Sequence, residues 1–426
     1  MNFIASLSLI KRRIPLIAGI GTLFALDAAI AQTSSIQVSP PGEIVAEFSS
    51  TTAPNNSQLM AASAIKEITA GLTLCAVYVS RDGGNAWSEV PAWPDTGFQP
   101  VFDPWVAIGL DGTIHAVGIA RTNEGGRAVY TQSRDQGVSW SPALAVTPFP
   151  GRFHRRSADK CCLAVADDGT IYVAFSQVLT SPVSTSELIV ARSTDQGLTW
   201  ITRDTGAASV SNGIIATPGG TVTVAIVGGA VPGYGTITST DGGDTWSAPV
   251  PLGEFNVTQG VPLPSIVYDS LGRIVIGDVG GSTTPQLDVS VENADGSIAQ
   301  QWQLPLPDSN TCGSGRLIQP ALTGGPNRSP AFQIACKVDP TASTEGSLEV
   351  WLYPTVDQPA LAPILVESTQ LPVQHPPRGF FARRYQDGGD YWSFTWRAAG
   401  WLSMWVDPRS AGGPGVLLAA PVTPTN

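Results

Sequence analysis

Positive charge is scarce in this chain of 426 residues: 23 lysines and arginines stand against 34 aspartates and glutamates, giving a net charge of −11. That balance excludes a surface built to hold nucleic acid or an anionic membrane. Histidine is scarcer still. His115, His154 and His375 are isolated in sequence, which leaves no histidine-based metal site, and the five cysteines fit no zinc spacing. No metal and no cofactor is therefore expected. Neither a Gly-x-Ser-x-Gly nucleophile elbow nor a Gly-x-Gly-x-x-Gly nucleotide loop occurs. Long segments with apolar residues at helical spacing are missing too, whereas glycine (45) and proline (35) are abundant. This is the profile of many short strands joined by turns, and it predicts an almost entirely β protein.

The first 31 residues stand apart. Lys11, Arg12 and Arg13 precede an apolar run from Ile14, and Ala29-Ile30-Ala31 forms a small-x-small cleavage site before Gln32. We read 1–31 as a signal peptide and 32–426 as one domain, exported to the periplasm or the medium. The shortness of the run, and Asp27 within it, argue against a permanent anchor, so no membrane span is expected after cleavage. Without this segment the net charge becomes −13, and the lysines that remain are Lys66, Lys160 and Lys337. Positive charge in the mature chain is thus nearly all arginine, whose planar fork suits carboxylates.

What the chain does have is an eight-residue pattern, Ser-x-Asp-x-Gly-x-x-Trp, in four copies: Ser80 to Trp87, Ser133 to Trp140, Ser193 to Trp200 and Ser239 to Trp246. A recurrence near fifty residues signals stacked supersecondary units. Within each copy the chemistry is that of a turn. Asp82, Asp135, Asp195 and Asp241 can accept hydrogen bonds from backbone amides two residues on, and the glycine allows a positive φ. Trp87, Trp140, Trp200 and Trp246 then supply apolar surface to bury against a neighbouring strand.

Each copy sits in the same context of three strands before the turn and one after it. In the second unit these are Phe102 to Ile108, Thr113 to Ala120, Arg127 to Ser133 and Ser139 to Thr147. Four antiparallel strands repeated radially make a propeller blade. A fifth unit, with Trp302, and a sixth, about Leu317 to Glu367, keep strands without the motif. A last unit, Tyr391 to Thr395, Trp401 to Val406 and Val416 to Ala420, lacks a fourth strand, which Ser35 to Ser39 can supply to close the ring. The count favours seven blades, with six as the alternative. Cys312 and Cys336 bracket a predicted hairpin and are the candidate disulfide.

These four turns resemble the Asp-box, or BNR, repeats of the sialidase-like β-propellers. Strand order puts the turns on one face and the loops that enter each blade on the other, so the aspartates are read as structural. The opposite face gathers Asp103, Arg121 and Arg127, the cluster Arg152, His154, Arg155, Arg156, Asp159 and Lys160, then Arg316, Arg378, Arg383, Arg384, Tyr385, Asp387, Tyr391, Asp407 and Arg409. Asp387-Gly388-Gly389-Asp390-Tyr391-Trp392 imitates the turn, with Tyr385 in place of the serine, but it precedes a blade's first strand and belongs on that same face.

The resemblance implies a substrate carboxylate clamped by arginines, a tyrosine nucleophile activated by a glutamate, and an aspartate as acid and base. On this chain the arginines are Arg155, Arg156, Arg316, Arg383, Arg384 and Arg409, the nucleophile is Tyr391 or Tyr385, and the acid is Asp103 or Asp159. No glutamate can be paired with either tyrosine from sequence. Two functions remain open: a glycan-binding or glycan-hydrolysing protein of exo-sialidase type taking an anionic ligand, and a non-catalytic platform for a protein partner.

Overall fold

The structure of the chain is a computed structural model. It describes residues 35–423 except 70–71, 95–97, 123–124, 147–155, 180–184, 218, 254–262, 281–285, 294, 325–329, 342, 357–361, 374–383, 386 and 409–414. Seven four-stranded antiparallel sheets make up the fold. β1 is Ile36–Gln37. Blade 1 is β2 (Val45–Ala53), β3 (Asn56–Thr69), β4 (Leu72–Ser80) and β5 (Ser88–Val90). Blade 2 is β6 (Pro100–Ile108), β7 (Ile114–Thr122), β8 (Gly125–Ser133) and β9 (Leu144–Ala145). Blade 3 is β10 (Arg156–Val165), β11 (Ile171–Leu179), β12 (Thr185–Ser193) and β13 (Ile201–Asp204).

Blade 4 is β14 (Val210–Ala216), β15 (Val222–Val227), β16 (Tyr234–Ser239) and β17 (Val250–Gly253). Blade 5 is β18 (Ser265–Tyr268), β19 (Ile274–Gly280), β20 (Gln286–Glu292) and β21 (Ile298–Leu304). A five-residue helix, α1 (Asn310–Ser314), precedes blade 6, which is β22 (Arg316–Gly324), β23 (Pro330–Val338), β24 (Gly346–Tyr353) and β25 (Ile364–Leu371). Blade 7 is β26 (Thr395–Arg397), β27 (Gly400–Val406) and β28 (Leu417–Val422), completed by β1. Seven blades are therefore present, and the strand absent from the C-terminal unit comes from the N-terminal end. β26 starts at Thr395, later than the apolar pattern suggests: Tyr391 O accepts from the Phe48 amide of blade 1, at 3.4 Å, and Trp392 Nε1 donates back to Gly388 O in the preceding double-glycine turn, at 3.2 Å.

The core consists of apolar layers between adjacent blades. Phe48, Tyr78, Leu402 and Trp405 share one, and Tyr130, Phe175 and Val173 another. The turns fix the outer ends of these layers. In each copy the serine hydroxyl accepts from the glycine amide, at 2.9 Å in Ser80–Gly84, 2.7 Å in Ser133–Gly137, 2.8 Å in Ser193–Gly197 and 2.7 Å in Ser239–Gly243. The same hydroxyl donates to the aspartate. The aspartate accepts from the amide four residues on, not two: Ala86, Ser139, Thr199 and Thr245. The amide two residues on is already taken by the serine. Each tryptophan is half-buried; Trp200 meets Tyr130 edge-on at 5.3 Å.

Cys312 and Cys336 form a disulfide, with Cα atoms 4.9 Å apart. It ties α1 to β23; Cys312 lies in a helix rather than in a hairpin because Ser309 caps it, accepting from the Cys312 amide at 2.9 Å. Among the described residues no helix is long and apolar enough to cross a membrane.

Candidate functional site

Apolar residues dominate the first strand of each blade, yet in four of them a polar residue breaks the run: Glu47 in β2, Asp103 in β6, Lys160 in β10 and Gln319 in β22. All four have positive φ, between 46° and 57°. Each also sits where the strand's register with its neighbour shifts, as in a β-bulge. A bulge re-aims one side chain out of the pleat at a cost of about 1–3 kcal/mol for the left-handed backbone. In blades 1, 2 and 3 the consequence is convergence. Lys160 Nζ lies 3.6 Å from both Glu47 Oε1 and Asp103 Oδ1 and is hydrogen-bonded to Asp390, while its amide donates to Asp103 Oδ2 at 3.0 Å. The Asp390 amide donates to Glu47 Oε1 at 3.2 Å.

Asp390 comes from the double-glycine turn before β26. Its spacing copies the four repeated turns, but its aspartate behaves differently: Asp387 turns to Arg316, at 3.0 Å, and to Lys337. The backbone of this turn docks on blade 1, where the Glu47 amide donates to Gly388 O at 2.7 Å. Gly389 admits no side chain, since a Cβ there would lie 2.1 Å from Glu47 Cγ.

Beside the cluster is a cavity of about 310 Å³. Glu47, Asp103, Asp159, Arg121, Arg384 and Tyr385 supply its polar wall, and Phe102, Ile119, Ala158 and Val178 its apolar one. It opens among the first-strand N-terminal halves, at the end of the ring opposite the four turns. Burial pushes the Glu47 carboxyl up to about 8, against the pull of Lys160. Asp159 is pushed up to about 6 by burial and by the charge of Asp103, with which it shares a hydrogen bond. At neutral pH the cavity thus presents a protonated Glu47 and an Asp159 close to its midpoint.

Of the residues singled out in the sequence, Asp103, Asp159, Arg384 and Tyr385 line this cavity together. Tyr391 does not. It is 5% exposed, packs on Trp105 at 5.5 Å, lies beneath Lys160 and donates its hydroxyl to Pro104 O at 3.1 Å. Tyr385 carries the guanidinium of Arg384 over its ring, at 5.5 Å, and burial together with the charge of Glu47 holds its proton well above the usual phenol range. Arg316 is saturated by Asp339 and Asp387. Arg152, His154, Arg155, Arg378, Arg383 and Arg409 lie outside the described residues, and of Arg156 only the backbone, at the start of β10, is described.

One participant was not among the sequence candidates: Glu47 supplies the glutamate beside a tyrosine that sequence could not pair. Arg121, which sequence placed on this face, lines the cavity stacked on Phe102 at 4.9 Å. The signal for Glu47 was a lone acid inside the apolar segment Val45-Ala46-Glu47-Phe48. Among the described residues no set of three or more His, Cys, Asp or Glu side chains is disposed to hold a metal ion.

No family model matches this chain, and no curated protein matches it by sequence. Solved structures do match. Trypanosoma rangeli sialidase in complex with the inhibitor DANA superposes with a TM-score of 0.50 at 12% identity, over 76% of this chain and 58% of that one. The sialidase NanB of Streptococcus pneumoniae, with Optactamide, gives 0.50 at 14% identity, over 70% and 66%. The Hadza microbial sialidase Hz136 gives 0.47 at 16%, over 69% and 63%. The chain thus spans less than two thirds of each of these sialidases. At such identities the likeness establishes a sialidase-like propeller fold and nothing finer.

Proposed function

We propose that this chain is an exported glycan-binding propeller whose ligand, polyhydroxylated and anionic, enters the cavity opposite the four turns. The observation that carries the reading is the mixed polar wall. Arg121, Arg384 and the protonated Glu47 donate hydrogen bonds, Asp103 and the largely ionised Asp159 accept them, and Phe102 and Ile119 offer an apolar face. Every sugar hydroxyl both donates and accepts, and its ring has an apolar side, so a wall of this composition suits it. The exposed guanidinium of Arg384 provides a fork for a ligand carboxylate. Export rests on the leader 1–31 described above.

Hydrolysis is the second reading, and the Asp103–Asp159 pair favours it. A carboxyl group held near pH 6 at a cavity wall is suited to donate a proton to a leaving oxygen. A tyrosine nucleophile is less well supported, because the Tyr391 hydroxyl is engaged elsewhere and Tyr385 is held protonated.

Calorimetric titration with sialic acid and uronic acid oligosaccharides, alongside turnover of aryl sialosides, separates the readings. Binding that Arg384→Ala weakens about tenfold supports the proposal. Turnover lost in Asp159→Asn adds hydrolysis. Wild-type protein that binds no glycan overturns the reading in favour of a protein-interaction platform.

A further inference from the structure

The carboxyl groups of Glu47, Asp103, Asp159 and Asp390 come from blades 1, 2 and 3 and from the turn before blade 7. Four acids at one place in an acidic chain require a compensating charge, and the chain supplies its own. The Lys160 side chain is only 11% exposed and its ammonium reaches three of the four carboxyls. The Lys160 stem leaves β10 toward blades 1 and 2 and the turn before β26 from a left-handed backbone, with φ of 54°, at the strand's register shift. Its position is therefore built into the bulge.

We infer that Lys160 is the positioning residue of the cavity: its ammonium fixes which carboxyls accept and which donate, and so governs the ligand hydroxyls that Asp103 and Asp159 can meet. The ligand clause rests on the glycan reading above; the electrostatic clause does not.

The groups facing this ammonium are Glu47 on β2, Asp103 on β6, Asp159 on its own strand, and Asp390 and Tyr391 on the segment before β26; Arg384 and Tyr385 on that segment act on Glu47 rather than on the ammonium. Burial works against charge on Lys160, but Glu47, Asp103 and Asp390 outweigh it and raise its affinity for a proton. In return Lys160 lowers Glu47, Asp159 and Asp390, whereas Asp390 raises Asp159. Removing Lys160 and removing Asp390 must then move the Asp159 midpoint in opposite directions.

The test is an NMR titration of aspartate carboxyl carbons in the full chain. Wild type should show a midpoint near 6 for Asp159. Lys160→Met should raise it by about one pH unit or more, Asp390→Asn should lower it, and Lys160→Arg should leave it near the wild-type value. Thermal melts establish which variants fold; if Lys160→Met does not, the sign in Asp390→Asn decides. An unchanged midpoint in folded Lys160→Met, or a rise in Asp390→Asn, overturns the assignment. Affinity for uronic acid oligosaccharide measured across the same pH range should inflect at each variant's own midpoint. Absence of binding by wild type removes the glycan reading, while the carbon titration still decides the role of Lys160.

Discussion

Ile36 stands opposite Ala419 in an antiparallel pair, so the first strand of the propeller completes the blade begun by the last three. The clasp continues past the ladder. Val38 N donates to Leu417 O at 2.9 Å, and Leu417 N donates to the buried hydroxyl of Ser39, also at 2.9 Å. Ser39→Ala leaves that amide buried without a partner and should cost about 1–3 kcal/mol in urea unfolding. Ligand affinity should not change, because the clasp lies on the outer strands. A variant as stable as wild type would show that closure does not depend on this bond.

Two glycines with nearly the same φ separate backbone strain from crowding. Gly112 and Gly197 both have φ of 81°, but a Cβ at Gly112 meets nothing within 4 Å, whereas one at Gly197 would lie 2.2 Å from Tyr130 Cε1. Gly112→Ala should cost about 1–2 kcal/mol from the left-handed backbone alone. Gly197→Ala adds overpacking of about 1–3 kcal/mol, since Tyr130 is held between Trp200 and His115 and cannot retreat. Equal losses in chemical unfolding would contradict the role given to the repeated turn as a brace between blades.

Blades and their closure were legible in the sequence because their signals are local. A serine, an aspartate, a glycine and a tryptophan at fixed offsets make the same turn wherever they occur, and alternating apolar segments mark the strands before it. The site was only half legible. Asp103, Asp159, Lys160, Arg384 and Tyr385 were placed on the correct face by strand order, but Glu47 was not, and the convergence of Glu47, Asp103 and Lys160 comes from bulges, which depend on register with the neighbouring strand. Charge pairing was the other hidden quantity. Arg316 reads as an available cation until Asp339 and Asp387, from two other segments, neutralise it. Tyr391, two residues past the double glycine, turns inward under Trp105 instead of facing the cavity.

Between blades 4 and 5 a carboxyl group makes stability depend on pH. Glu292 is fully buried, accepts from Thr236 Oγ1 at 2.8 Å and leaves Oε2 without a partner among the described residues. Burial raises its midpoint to about 7. Because the folded value lies above the unfolded one, near 4.5, this contribution is fully present below pH 4.5 and declines as pH rises toward 7. Glu292→Gln keeps the bond from Thr236 and removes the ionisation. The stability of wild type relative to this variant should fall by on the order of 2–3 kcal/mol from pH 5 to pH 7. Parallel stability profiles for the two proteins would place the Glu292 carboxyl in a wetter setting than the packing indicates.

Arg316 and Arg384 both lie near the double-glycine turn, and their partners assign them different work. Arg316 holds Asp387 by two hydrogen bonds, at 3.0 and 3.1 Å, and Asp339 by two more. Its guanidinium has no fork left for a ligand, so Arg316→Ala should cost about 1–2 kcal/mol of stability, moderated by Lys337 remaining beside Asp387. Glycan affinity should stay within about twofold of wild type. Arg384 is exposed, lines the cavity, and has Tyr385 as its hydrogen-bonded neighbour at 3.3 Å. Arg384→Ala should therefore leave the melting temperature nearly unchanged and weaken glycan binding about tenfold, more for a carboxylated sugar than for its neutral counterpart. Thermal melts and calorimetry on the two variants give a crossed pattern if the division holds. If Arg316→Ala is the variant that loses affinity, the ligand lies over blade 6 and the cavity between blades 1, 2 and 3 is not its seat.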